Sequence, residues 1–414
     1  MPADLFGVRW VVAPSVSAAA LAYVAFGIGL GTVSGLVPGL HANTMAMLLA
    51  AAAPSAPGPP RLVGAAMLAA GVVHTFLDVV PALALGVPDP AMAASALPGH
   101  RLVLGGRGRE ALRLSALGSG LAVVLAIPLA LPVTLVMRRA YPTLRAHLPL
   151  VLVGVVVLLV LTESTLWGAV CGAVISALAG ALGLLTLDLS PAAPLDAGGI
   201  LVALFAGLFG APVLVEALGG SGVPDQDDAR LATTPWAVAG LGALGTVSGA
   251  LVGYVPGVSA AVAATLALVA VPGRYGARGF VVATSGVNTA NAVFALFALV
   301  ALGSPRTGVL VALDRSGAPL DLPLLLAAIA LAAAVGYVLV PVVGDRYLVL
   351  AGRVDYATLS LCVLGLLVVL SALFAGPTGV LVLVAASALG LVPARVGARR
   401  VHLMGVLLWP LVVG

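Results

Sequence analysis

His74 and Asp78 stand four residues apart in the segment His74-Thr75-Phe76-Leu77-Asp78, which on a helix puts both side chains on one face. An imidazole beside a carboxylate inside a long apolar run suits the uptake and release of a proton or a small cation. Asp78 would carry the charge. If the run crosses a membrane, a carboxylate near its centre costs roughly 2.5–3.5 kcal/mol, so Asp78 requires a partner or a polar cavity. Pro81, one turn on, implies a distortion of the helix. The competing reading is a buried Asp–His hydrogen bond that only ties helices together.

Polar side chains recur at Gly286-Val287-Asn288-Thr289-Ala290-Asn291. Asn288 and Asn291 are three apart, so both amides face one side, with Thr289 between them in sequence. Such amides bind a substrate or join neighbouring helices. The stretch Pro38-Gly39-Leu40-His41-Ala42-Asn43-Thr44 differs in kind. Its proline lacks a backbone donor and breaks the helix, and its glycine permits an unusual turn. The next helix then starts inside the apolar run, offering free N–H groups and the positive end of its dipole to an anion. His41, Asn43 and Thr44 add side-chain donors in the first turn. Pro256-Gly257-Val258-Ser259 repeats the element with Ser259 as its only side-chain donor. The expected substrate-binding set is Gly39, His41, Asn43, Thr44, Pro256, Gly257, Ser259, Asn288, Thr289 and Asn291, with Asp78 and His74 coupling an ion.

The elements that position these residues come in two copies. Gly31-Thr32-Val33-Ser34-Gly35 recurs unchanged at Gly245-Thr246-Val247-Ser248-Gly249. In each half the order is the same: this pentapeptide, a Pro-Gly, a short apolar run, then an apolar segment bearing polar groups. Composition supplies the solvent. The 414 residues are 62% hydrophobic and 8% charged, with mean hydropathy +1.20. A soluble domain carries roughly 25% charged residues, so most of this surface faces lipid. The chain has no lysine, a feature of base composition, and its arginines lie singly or in small groups between apolar runs. They read as membrane-orientation signals, Arg306 and Arg315 among them, and not as a nucleic-acid surface.

Apolar runs fall at 16–37, 40–53, 62–87, 114–137, 147–162, 165–187 and 198–218, and again at 235–255, 258–272, 279–303, 321–343, 354–374, 377–394 and 401–413. About 20 residues cross the hydrocarbon core, and several runs are shorter. The expected fold is all-α: a polytopic membrane protein with repeats at 1–218 and 235–414 joined by an acidic linker at 219–234. Each repeat holds a Pro-Gly-broken helix or re-entrant segment. Seven runs per half is odd, which makes the topology inverted. The first run follows Arg9 and could pass for a secretory signal. It leads straight into the first pentapeptide, so it is expected to stay as the first membrane helix. Cys171 and Cys362 are expected to be buried packing residues. Glu163 reads as a solvated turn residue, and Pro98-Gly99-His100-Arg101 through Arg113 as an amphipathic interfacial segment. No Walker A, HExxH or paired Cys/His spacing appears, so neither a nucleotide nor a metal cofactor is expected.

The Pro-Gly-Leu-His-Ala-Asn-Thr stretch, the His-Thr-Phe-Leu-Asp segment and the residues from Pro98 to Ala111 resemble the large membrane subunit of tripartite tricarboxylate transporters, the TctA family. In the second half the pentapeptide before Pro256-Gly257 and the residues 286–291 match it too. The resemblance runs from about Gly27 to Asp314. It implies secondary active uptake of small carboxylates such as citrate in a prokaryotic plasma membrane. It also implies a small membrane subunit and an extracytoplasmic binding protein as partners. The chain departs from citrate-type members where Gly286-Val287 replaces an acidic residue, and in His-Ala-Asn-Thr, as in a divergent, shorter branch.

The expected function is import of a small organic anion, a carboxylate, driven by a sodium or proton gradient. An intramembrane enzyme using His74 and Asp78 on a lipid-soluble substrate is the alternative from another class. The second half tells against it, because it repeats the scaffold with amides where catalysis needs acids and bases. A passive channel is the third reading, and paired helix starts suit a closed site better than an open pore.

Overall fold

The computed structural model describes residues 3–5, 8–10, 14–38, 40, 42–86, 96–195, 199–218, 223–228, 230–255, 258 and 260–413. A short antiparallel pair, β1 (Ala3–Leu5) and β2 (Val8–Trp10), precedes a chain that is otherwise helical. The first half comprises α1 (Pro14–Leu36), α2 (Ala42–Ala52), α3 (Pro60–Leu77), α4 (Val79–Leu85), α5 (Ala96–Leu104), α6 (Gly108–Ala146), α7 (Leu148–Leu161), α8 (Leu166–Thr186), α9 (Leu201–Phe205) and α10 (Ala211–Ala217). A π-helical turn at Ala206–Gly210 joins the last two. The second half comprises α11 (Pro235–Tyr254), α12 (Ala260–Ala270), α13 (Gly276–Leu302), α14 (Gly308–Arg315), α15 (Leu322–Arg353), α16 (Tyr356–Gly390), α17 (Val392–Val396) and α18 (Gly405–Val413).

Among the described residues, eight helical stretches are long and apolar enough to cross a membrane. Most of them turn much of their surface outward, as helices in lipid do. Two behave differently: in the most apolar window of Pro60–Leu85 94% of residues are buried, and in that of Gly273–Leu302 72%. These are the two stretches that carry His74, Asp78 and the asparagines. The polar helices are thus the innermost ones, jacketed by protein.

Local sequence accounts for the breaks. α1 stops two residues before Pro38 and α11 two residues before Pro256. The short helices that follow, α2 and α12, have 11 residues each, about 16 Å of helix, so neither spans a core ~30 Å thick. In α3–α4 the helix is interrupted at Asp78, because Pro81 has no N–H to bond the Leu77 carbonyl. α13 has no proline and runs unbroken for 27 residues. α16 is kinked at Gly376, whose φ of 59° only glycine adopts readily, next to Pro377. That break divides α16 into the two runs legible in the sequence.

Packing crosses between the halves. α3 is flanked by α1 and by α15; α13 is flanked by α11 and by α6. Both pentapeptides lie on these contacts. A methyl at Gly31 would run into the Ala70 carbonyl of α3, and one at Gly245 into the Ala283 carbonyl of α13, so the pentapeptide glycine is what lets each helix pair approach. α5, which follows α4, rests near the start of α13 with Gly99 against Val281; α14, which follows α13, rests along α3 with Val309 over Gly71 and Leu313 over Gly64. At the periphery α18 packs on α8, and α16 on α9 and the π-helical turn.

Three expectations change here. Cys362 is exposed, on a helix face turned outward, and Cys171 is half-buried, packed at the edge of the core. The Glu163 side chain is 4% exposed: its carboxylate accepts from His402 Nε2 at 2.8 Å and from the Arg399 backbone N–H at 3.0 Å. Those partners come from the far end of the chain, which no local reading of the turn reveals. The charges between Arg107 and Arg113 clasp the protein to itself. Glu110, 1% exposed, accepts from Arg107 at 2.6 Å and from Arg278 of α13 at 2.9 Å, and it also caps Ala232 N–H of the linker at 2.8 Å. Arg109 pairs with Asp345 at 2.5 Å, and Gln226 of the linker accepts from Gly108 N–H at 2.6 Å.

Candidate functional site

Asp78 is 5% exposed and His74 fully buried. The interruption at Asp78 places its carboxylate against α13, where Asn288 Nδ2 donates to Asp78 Oδ2 at 2.8 Å and reaches towards the Thr75 carbonyl at 3.5 Å. Both groups accept, so the amide nitrogen must face them, and the amide oxygen of Asn288 is the part not committed to Asp78. His74 turns the other way. Its Nδ1 lies 3.0 Å from the hydroxyl of Ser34, the serine of the first pentapeptide, and that hydroxyl also contacts Met45 Sδ of α2 at 2.9 Å. The carboxylate that needs a partner in an apolar interior thus has one from the other half of the chain. His74 links the same helix to α1 and α2.

Beside this cluster lies a cavity of about 840 Å³. Its wall includes Ala42, the first residue of α2, and Ala260, the first of α12, with Val258 just before it. Thr75, Asn288 and Asn291 contribute from α3 and α13, and Pro305, Arg306 and Thr307 from the loop after α13. The rest is largely apolar, from α8, α9 and α18, with Asp188 exposed at the end of α8. The starts of both short helices therefore open on one space. Asn291 Oδ1 is buried and has no hydrogen-bond partner among the described residues.

Of the sequence-derived binding set, the structure brings Asn288 and Asn291 to this cavity. Asn43 and Thr44 stand in the first turn of α2, next to Ala42, with side chains outside the described part. Gly39, His41, Pro256, Gly257 and Ser259 lie outside the described residues. Thr289 is bonded elsewhere. Its hydroxyl donates to Ser119 of α6 at 2.9 Å, in a buried polar seam with Ser115 and Ser285. One residue is about 100° of helical rotation, which turns Thr289 from the cavity onto α6. Arg306, read from the sequence as an orientation signal, instead lines the cavity. Outside the spans, His100 of α5 holds the Leu83 carbonyl through Nδ1 at 2.7 Å, and burial keeps its pKa below the ordinary histidine value, the backbone bond opposing that only in part.

The helices define a multi-pass membrane protein, and between them lies a largely apolar cavity with a polar side formed by Thr75, Asn288, Asn291 and Arg306. The chain belongs to the tripartite tricarboxylate transporter TctA family, whose sequence profile matches residues 21–405. It is also 27% identical over 350 residues to the uncharacterized protein MJ1079 of Methanocaldococcus jannaschii, an alignment covering 82% of this chain and 84% of that protein. No solved structure matches the chain.

Proposed function

We propose that this protein is a secondary active transporter that imports a small organic anion, a carboxylate, across a prokaryotic plasma membrane, driven by a sodium or proton gradient. The observation that carries the reading is the shared cavity: the starts of α2 and α12 and the polar face of α13 open on it, with Asp78 one hydrogen bond away through Asn288. Free N–H groups at helix starts bind the carboxylate, helped by Asn43, Thr44 and Asn291 and by the stretch from Gly39 to His41. Pro256, Gly257 and Ser259 supply the second start. Asp78 couples the cation, and His74, bonded to Ser34, holds the helix that carries it against α1. Asn288 serves both, as the donor that holds Asp78 in place. A small membrane subunit and an extracytoplasmic binding protein deliver the substrate, as the family's tripartite description implies.

The same reading makes residues 1–218 and 235–414 inverted repeats joined by 219–234. Its support is the exchange of partners, in which α5 packs on α13 while α14 packs on α3. Two copies related by a pseudo-two-fold axis give this reciprocity, and the odd number of apolar runs per half puts that axis in the membrane plane. The test is uptake of radiolabelled acetate, succinate and citrate into proteoliposomes, with and without imposed sodium and proton gradients. Accumulation above the outside concentration that depends on one gradient is the expected result. Equilibration without accumulation makes the protein a channel, and absence of uptake for all three carboxylates sinks the substrate class.

A further inference from the structure

Among the described residues lining the cavity, Arg306 is the one basic side chain. It follows Gly303-Ser304-Pro305 at the end of α13, and the return of α14 along α3 tucks this loop into the protein wall. Its Nη2 donates to the Tyr141 hydroxyl at 2.5 Å, and its guanidinium lies over the Tyr141 ring, 5.2 Å from the centroid. Arg306 Nε is buried and has no hydrogen-bond partner among the described residues. No carboxylate among them forms an ion pair with it. The contrast within the molecule is sharp. Arg107, Arg109, Arg278 and Arg400 each hold a carboxylate at 2.5–2.9 Å, whereas among the described residues the arginine in the chamber is held by a phenol.

A guanidinium in a partly desolvated wall is costly unless an anion meets it. Five N–H donors in a planar fork match a carboxylate, and Tyr141 restrains the fork without neutralising it. On the reading of this chamber as the carboxylate site, we propose that Arg306 is the residue that binds a substrate carboxylate by charge, with Tyr141 as its positioning residue. The two helix starts supply neutral donors to the rest of the anion. This arrangement accounts for how the chamber would hold a tricarboxylate, the class in the family's description: one group on Arg306, another at the helix starts. Monocarboxylates satisfy only one of the two.

The test uses the full chain in lipid nanodiscs and equilibrium binding of radiolabelled citrate, succinate and acetate. Arg306→Gln is expected to weaken citrate and succinate binding by about 10-fold or more, the scale of a lost charged hydrogen bond, and to leave acetate less affected. In a Cys171→Ala/Cys362→Ala background, Arg306→Cys treated with the cationic aminoethyl methanethiosulfonate is expected to recover binding. The anionic sulfonatoethyl reagent is expected not to. Unchanged citrate and succinate affinity in Arg306→Gln overturns the proposal while sparing the carboxylate reading of the chamber. Lost binding that the cationic reagent and Arg306→Lys both fail to restore reduces Arg306 to packing on Tyr141, and also overturns it. A wild-type protein that binds none of the three probes overturns the carboxylate reading and this inference with it.

Discussion

The helix α3–α4 and the helix α13 stand in the same relation to their pentapeptides, yet only the first carries ionisable groups in the stretch just beyond that contact. Gly31 packs on Ala70 and Gly245 on Ala283, and one or two turns further Gly35 meets His74 and Leu77 while Gly249 meets Val287 and Ala290. Counted from these contacts, Asp78 corresponds to Asn291, and His74 to Val287. The first copy has a carboxylate, an imidazole and a proline break; the second has amides on an unbroken helix. It is also one turn longer beyond the shared register: Asn291 stands twelve residues before Gly303, and Asp78 eight before Gly86. Downstream glycines alone would pair His74 with Asn291, and that extra turn is why they mislead. On the proposed repeat, the halves share a scaffold and divide the chemistry: charge from one, neutral donors from the other, joined by the Asn288–Asp78 hydrogen bond.

The largest effect should come from erasing that difference. Asp78→Asn makes the first copy as neutral as the second. It should abolish gradient-driven carboxylate accumulation while the protein still inserts and purifies as the wild type does. Accumulation that persists with the same ion dependence would leave Asp78 only a structural role and break the division of labour.

The shared scaffold can be tested from the other side. Gly31→Leu and Gly245→Leu push a side chain into equivalent helix contacts, and each should destabilise by about 1–3 kcal/mol, the usual scale of overpacking. Similar drops in the unfolding midpoint of the detergent-solubilised protein are expected. A large loss from one and none from the other would show that the two contacts are not equivalent.

Much of this fold is legible in the sequence, for a physical reason. Helices that face lipid must be apolar along their whole length, so all fourteen apolar runs coincide with described helices, and the Pro-Gly pairs mark where two of those helices stop. α5 and α14 escape because nine and eight residues are too few to stand out among apolar runs of this length. The site is half legible. Asp78, Asn288 and Asn291 announce themselves as polar groups where polarity is expensive. That Thr289 bonds Ser119 is not legible, because spacing says which residues share a face and not which neighbour that face meets. Arg306 fails because an arginine after a proline between two apolar runs looks like any loop arginine until α14 folds back along α3. Glu163 is missed likewise, its partner His402 lying 239 positions away.

The two asparagines sharpen the comparison further, since the structure gives them different tasks. Asn288→Ala removes the donor from a buried carboxylate and should cost about 1–3 kcal/mol, seen chiefly in coupling and stability. Asn291→Ala removes a group that touches no partner through its oxygen, and should weaken carboxylate binding by about 0.5–1.5 kcal/mol with stability intact. Identical effects of both variants on the unfolding midpoint and on citrate binding would merge the two roles.

The smallest expected effect concerns Asp188. Its carboxylate lies on the same cavity wall as Arg306 but on the exposed end of α8, where water and salt screen it. An anion entering the chamber passes this like charge, and the repulsion between charges several ångströms apart in a wet environment is well under 1 kcal/mol. Asp188→Asn should therefore tighten succinate and citrate binding by about twofold, more at low ionic strength than at high. The sign matters more than the size. Arg306 and Asp188 are the two charged residues lining the chamber among those described, and neutralising them should move affinity in opposite directions. Weaker binding in Asp188→Asn would mean that the carboxylate there assists the substrate, as a cation-binding group would, and would move the coupling ion from Asp78 to the mouth of the cavity.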